Sequence, residues 1–103
     1  MATVLVVEDN FYNVVPLRLI LKNSAGISID RAENGKIGVD MYAANATKKC
    51  CKTYYRLVLM DINMPVMDGC QATKEILHMH KKLVTKPQYA HLLKPIIYAM
   101  TAM

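Results

Sequence analysis

Two short aliphatic runs, Val4-Leu5-Val6-Val7 and Leu57-Val58-Leu59-Met60, constrain this chain more than any other feature. Neither alternates with polar residues. Each therefore reads as a strand buried on both faces, the condition of a parallel sheet covered by helices. Both runs stop on acid: the first gives way to Glu8-Asp9-Asn10, the second to Asp61. A third run, Pro95 to Met100, is expected to be another buried strand and ends at Thr101. Packing alone gives no reason for apolar strands to end this way.

The segments between these runs read as helices and turns. Asn10 is a good N-cap for a helix over roughly residues 11–24, with Val14, Val15, Leu17, Ile20 and Leu21 on its apolar face and Gly26 at its end. Pro16 removes one hydrogen bond and is expected to kink or delay that helix. Ile27 to Ala32 reads as a second strand. Asn34-Gly35 reads as a turn, followed by a helix to about Ala46 with Ile37, Val39, Met41 and Tyr42 partly buried. In that helix Gly38 is expected to cost about 1 kcal/mol relative to alanine. Lys48 to Tyr54 is a basic loop. A third helix spans about Cys70 to Leu83, with Ala72, Ile76 and Leu77 inward. Thr85 to Leu93 is irregular. The order β-α-β-α-β-α-β implies an α/β fold, a doubly wound parallel sheet with right-handed crossovers. With 103 residues, the chain bounds one small domain.

Composition narrows the function. A net charge of +5 is spread over scattered lysines, with no interleaving of bases and aromatics and no zinc-finger spacing, so no nucleic-acid contact is expected through this segment. Cys50 and Cys51 are adjacent, and Cys70 stands apart. This is neither a metal knuckle nor a disulfide framework, and it suggests reduced thiols in a cytoplasmic setting. The N-terminal apolar run is too short for a signal sequence or a membrane span, so no direct membrane contact is expected. No G-x-G-x-x-G follows Val7, which excludes a dinucleotide site there.

In open α/β sheets, ligands bind beyond the carboxyl ends of the strands, where the strand order reverses. That rim would gather Glu8 and Asp9, Asp61, and Thr101. Crowded carboxylates repel, and they settle either by holding a proton or by binding a hard cation. Oxygen-only ligands suit Mg2+, which keeps several waters and accepts a phosphate. A carboxylate beside that ion can attack phosphorus.

Three blocks carry a family resemblance: Val4 to Asn10 with Asn13, giving Glu-Asp-Asn-x-x-Asn; Leu57 to Gly69, containing Met-Asp-Ile-Asn-Met-Pro-Val-Met-Asp-Gly; and Pro95 to Ala102. Together they resemble the response-regulator receiver domain, in particular receivers fused to hybrid sensor histidine kinases. The resemblance implies a flavodoxin-like fold and phosphorelay signalling, with the phosphoryl group arriving from a histidine kinase or histidine phosphotransfer protein. It implies Asp61 as phosphoacceptor, Asp9 as a direct Mg2+ ligand and Glu8 as one acting mainly through water. Asn63 would give its carbonyl to the metal and its N–H to the phosphoryl group. Thr101 would be the switch hydroxyl, and Ala102 would offer a backbone N–H. Such a domain catalyses only its own phosphoryl transfer and is cytoplasmic, in some members as the cytoplasmic part of a membrane-bound kinase.

The family pattern continues with a helix, a strand bearing a lysine, and a last helix, which these 103 residues do not include. Lys94 precedes the last strand run, at the wrong end of the sheet for that lysine. The expectation is a receiver incomplete at its C-terminus, retaining metal binding with impaired phosphorylation. Two other functions compete. A Mg2+-dependent phosphohydrolase with an aspartate nucleophile needs an acid two residues on, where this chain has Asn63. A degenerate receiver that only binds proteins conflicts with the intact Glu8, Asp9 and Asp61. His78 and His80 lie on different helix faces and read as surface or partly packed residues. His91 reads as a loop residue without a partner. Met60, Met79 and Met100 read as core fillers, and Met64 and Met67 as flanking the site.

Overall fold

The computed structural model describes residues 3–49, 53–62 and 67–100. Asn63, Thr101 and Ala102, together with Met64, Cys50 and Cys51, lie outside the described residues. Four parallel strands form one sheet: β1 (Val4–Val7), β2 (Ile29–Ala32), β3 (Leu57–Asp61) and β4 (Ile96–Met100), in the order β2-β1-β3-β4. The helices α1 (Phe11–Ala25), α2 (Gly35–Thr47) and α3 (Gly69–Leu83) connect them, and a 3₁₀ turn at Pro87–Tyr89 precedes β4. This is the expected doubly wound arrangement.

The two aliphatic runs lie side by side, Val4 opposite Leu57 and Val7 opposite Met60. Side chains of a strand alternate between faces. Leu5 and Val7 therefore join Val58 and Met60 beneath α2 and α3, against Val39, Tyr42, Ala46, Ala72 and Ile76. Val4 and Val6 face the other way, against Val14 of α1 and Ile29. Leu5, Val6, Val7 and Val58 are fully buried, and burial of each such side chain contributes about 1.5–3 kcal/mol.

Each helix starts on a capped donor. Asn10 Oδ1 accepts from Tyr12 N at 3.0 Å, Asn34 Oδ1 from Ile37 N at 2.9 Å, and Asp68 Oδ1 from Gln71 N at 2.8 Å. Gly26 ends α1 in a left-handed conformation, φ 65°. Helix α1 begins at Phe11 and runs through Pro16, so the proline does not delay it. The carbonyl that Pro16 leaves without an N–H belongs to Tyr12, a residue exposed to water.

Four expectations are corrected. Ile20 is 59% exposed: at 100° per residue it lies about 120° from Val14, off the buried stripe of Val14, Leu17 and Leu21. Ile37 is exposed for the same reason, on the side of α2 away from Val39 and Tyr42. Gly38 is no defect. It is buried, and a Cβ there would lie 2.8 Å from Val7 Cγ2, so its bareness lets α2 rest on β1. Finally, β4 is an edge strand and not a buried one. Among the described residues it pairs only with β3, and Ile96 and Tyr98 are exposed while Ile97 packs on the core. A continuous apolar run looks the same whether or not both its faces are covered.

Candidate phosphoryl and cation site

The chain leaves β1 toward β2 on one side and later returns to β3 on the other, so the strand order reverses between β1 and β3. The carboxyl ends of those two strands carry the acids. One carboxylate oxygen each from Glu8, Asp9 and Asp61 lies within 4.8 Å of the others. Glu8 and Asp61 are buried, at 6% and 5% exposure, and Asp9 is exposed. The convergence of the three acids expected from sequence is present, and Thr101, expected at the same rim, lies outside the described residues.

Local structure fixes each acid. Glu8 N donates to Ala32 O at 3.0 Å, extending the β1–β2 ladder by one residue, and Ile62 N donates to Met100 O at 3.2 Å just past Asp61. Gly69 N donates to Ile62 O at 3.1 Å, and a Cβ on Gly69 would come within 2.2 Å of Asp61 O. Only a glycine lets α3 start this close to the end of β3. In the β3–β4 ladder Met100 sits opposite Asp61, which brings the strand preceding Thr101 to the same rim.

Glu8 Oε1 accepts from Asn13 Nδ2 at 2.6 Å, while Oε2 is buried with no hydrogen-bond partner among the described residues. Burial pushes the Glu8 carboxyl from its ordinary 4.5 up to about 7, aided by the neighbouring Asp61 carboxylate and opposed by the hydrogen bond from Asn13. Without a cation, the cluster relieves its repulsion by holding a proton. An orphaned buried oxygen, an all-oxygen donor set and a span close to the roughly 4 Å between opposite ligands of a small hard cation fit magnesium.

Two residues at this site were not singled out for these roles from sequence. Asn13 entered only as part of a pattern, and here it orients Glu8. Arg31, at the end of β2, donates from Nε to Glu8 O at 3.1 Å and from Nη2 to Asp9 O at 2.9 Å. Its partners lie 22 and 23 residues away in sequence, and only the pairing of β1 with β2 brings them together. The histidines take no part. His80 Nε2 lies 3.0 Å from Leu92 O and His78 is exposed. His91 does have a neighbour, the Tyr54 ring at 5.8 Å, contrary to the sequence reading. Met60 is buried, Met79 and Met100 are partly buried in the core as expected, and Met67 packs against the core as well.

Fold and site together define a class: doubly wound α/β proteins with a carboxylate cluster at the reversal of strand order. Within that class the response regulator receiver domain model matches residues 4–87, and the chain belongs to that family. Over 77 residues it is 43% identical to two-component response regulator 24 of Arabidopsis thaliana, a match covering 75% of this chain and 50% of that protein. It is 38% identical over 100 residues to hybrid signal transduction histidine kinase B of Dictyostelium discoideum, a match covering 96% of this chain and 5% of that protein. The receiver domain of the Arabidopsis thaliana histidine kinase CKI1, crystallised with Mg2+ and BeF3-, superposes with a TM-score of 0.77 at 27% identity, over 95% of this chain and 64% of that one. The Saccharomyces cerevisiae Ssk1 receiver, in complex with the histidine phosphotransfer protein Ypd1, gives 0.76 at 30% identity, over 99% and 64%. The chain thus spans about half of the Arabidopsis regulator, under two thirds of the two solved chains and 5% of the Dictyostelium kinase. It is a receiver domain of the two-component phosphorelay type. Among the described residues, no helix is long and apolar enough to cross a membrane.

Proposed function

We propose that Asp61 accepts a phosphoryl group from a phosphohistidine, with Glu8, Asp9, Asp61 and the Asn63 carbonyl holding Mg2+. The observation that carries this is the meeting of three carboxylates within 4.8 Å, with the Asp61 side chain buried beside an orphaned Glu8 oxygen. The ion, when bound, supplies the charge neutralisation that lets an anionic carboxylate approach an anionic phosphoryl group. Asp61 forms the new O–P bond as the N–P bond of the phosphohistidine breaks, and the imidazole leaves as the neutral base after taking a proton from solvent. Glu8 must release its own proton before the cluster can ligate. Asn13 favours that release by hydrogen-bonding the ionised form. Asn63 and Ala102 offer backbone N–H groups to the phosphoryl oxygens. Thr101, which follows Met100 in sequence, offers its hydroxyl.

The partner class is a histidine kinase or a histidine phosphotransfer protein, a reading supported by the Ypd1-bound receiver to which this chain is similar. The domain catalyses its own phosphorylation and acts on no other substrate. Incubation with a phosphorylated histidine phosphotransfer protein and Mg2+ should give a hydroxylamine-labile phosphoprotein. Asp61→Asn should lower the label at least a hundredfold, and EDTA should abolish it. Equal labelling of Asp61→Asn would overturn the assignment. Magnesium binding without any labelling would favour a domain that acts only by binding proteins.

A further inference from the structure

We infer that Arg31 is the positioning residue that aims the acidic turn after β1 and so sets how tightly the cluster holds a divalent cation; this rests on reading Glu8, Asp9 and Asp61 as cation ligands. Two adjacent nitrogens of one guanidinium, Nε and Nη2, bond the carbonyls of two consecutive residues, Glu8 and Asp9. Both peptide planes flanking the Asp9 Cα are thereby held from one rigid fork. The direction of the Asp9 Cα–Cβ bond follows from those planes. Asp9 is exposed and so has little packing of its own to fix it. The fork is itself supported: the guanidinium carbon sits 5.5 Å from the centroid of the Phe11 ring, at the first residue of α1.

Two effects oppose each other. The guanidinium charge repels an incoming cation, whereas the fixed turn spares the cation the cost of ordering Asp9. The hydrogen-bonding edge of the guanidinium is spent on carbonyls, and the group is partly exposed, so its charge is screened by water. Preorganisation therefore dominates. Lysine would keep the charge but lacks the planar fork.

The test is a magnesium titration of the whole chain, followed by the amide shifts of Asp9 and Asp61 in ¹H–¹⁵N spectra, with Arg31→Ala and Arg31→Lys beside the wild type. Metal-free spectra confirm that each variant is folded before magnesium is added. Both variants should bind about tenfold more weakly, the scale expected when a group orienting a metal ligand is lost. Wild-type affinity in Arg31→Lys would assign the effect to charge and overturn the inference. Unchanged or tighter binding in Arg31→Ala would do the same. A wild-type protein that never saturates would instead sink the cation reading itself, separating that failure from the failure of Arg31's role.

Discussion

The two ends of the β3 ladder partners behave differently although their sequences look alike. β1 is flanked by strands on both sides and covered on both faces, and its four residues are all buried. β4 has one neighbour and leaves Ile96 and Tyr98 more than 60% exposed. The acids sit at the carboxyl ends of β1 and β3, the two central strands. That placement follows from the physics: a carboxylate cluster needs rigid backbone beneath it and restricted water around it to make a defined cation site. β4 contributes register, through the pairing of Met100 with Asp61, more than burial.

The largest effect that sharpens this contrast concerns packing. Leu5→Ala should cost about 2–5 kcal/mol, because it empties a fully buried site between β1 and the α2–α3 layer. Ile96→Ala should cost no more than about 1 kcal/mol. Urea unfolding of both variants measures the difference, and comparable losses would mean that β4 is as much a part of the core as β1.

Next in size is the pH dependence of the acidic rim. Glu8 titrates near 7 in the folded chain against an ordinary 4.5, so folding favours its protonated form. Its stabilising contribution is complete below about 4.5 and is lost as pH rises through 7. The full swing amounts to about 3 kcal/mol. Thermal unfolding without metal should therefore show a falling Tm between pH 5 and 8, flattened in Glu8→Gln. Magnesium should raise Tm more at pH 8 than at pH 5.5, since the ion displaces that proton. A Tm in metal-free protein that rises over this range would contradict the account.

The smallest effect tests the fit of α2 on β1. Gly38→Ala should destabilise by about 1–2 kcal/mol, as overpacking outweighs the helix propensity that alanine gains. In a Val7→Ala background the same change should become neutral or stabilising. A stabilising Gly38→Ala in the wild-type chain would show that α2 can shift away from Val7 without loss.

Much of the architecture was readable in local terms. Asn10 and Gly26 mark the ends of α1 because capping is decided within one turn of helix, and the abrupt stops at Glu8 and Asp61 mark the rim because strand burial shows in a run of four residues. Ile20 and Ile37 failed on helical phase, and the rest failed where a neighbour remote in sequence decides: the exposure of Ile96 and Tyr98, the value of bareness at Gly38, and the ring that faces His91.

The sequence by itself determined the element order, the parallel sheet and the identity of the three acids, since apolar periodicity and residue chemistry are properties of short segments. Only the tertiary structure decided that Arg31 grips the Glu8–Asp9 turn, that Asn13 orders one Glu8 oxygen while the other has no partner among the described residues, and that Ile96 and Tyr98 of β4 are exposed. The Arg31 contacts and the exposure along β4 depend on strand order and register, which bring together groups that no local pattern relates, whereas Asn13 reaches Glu8 across the turn into α1.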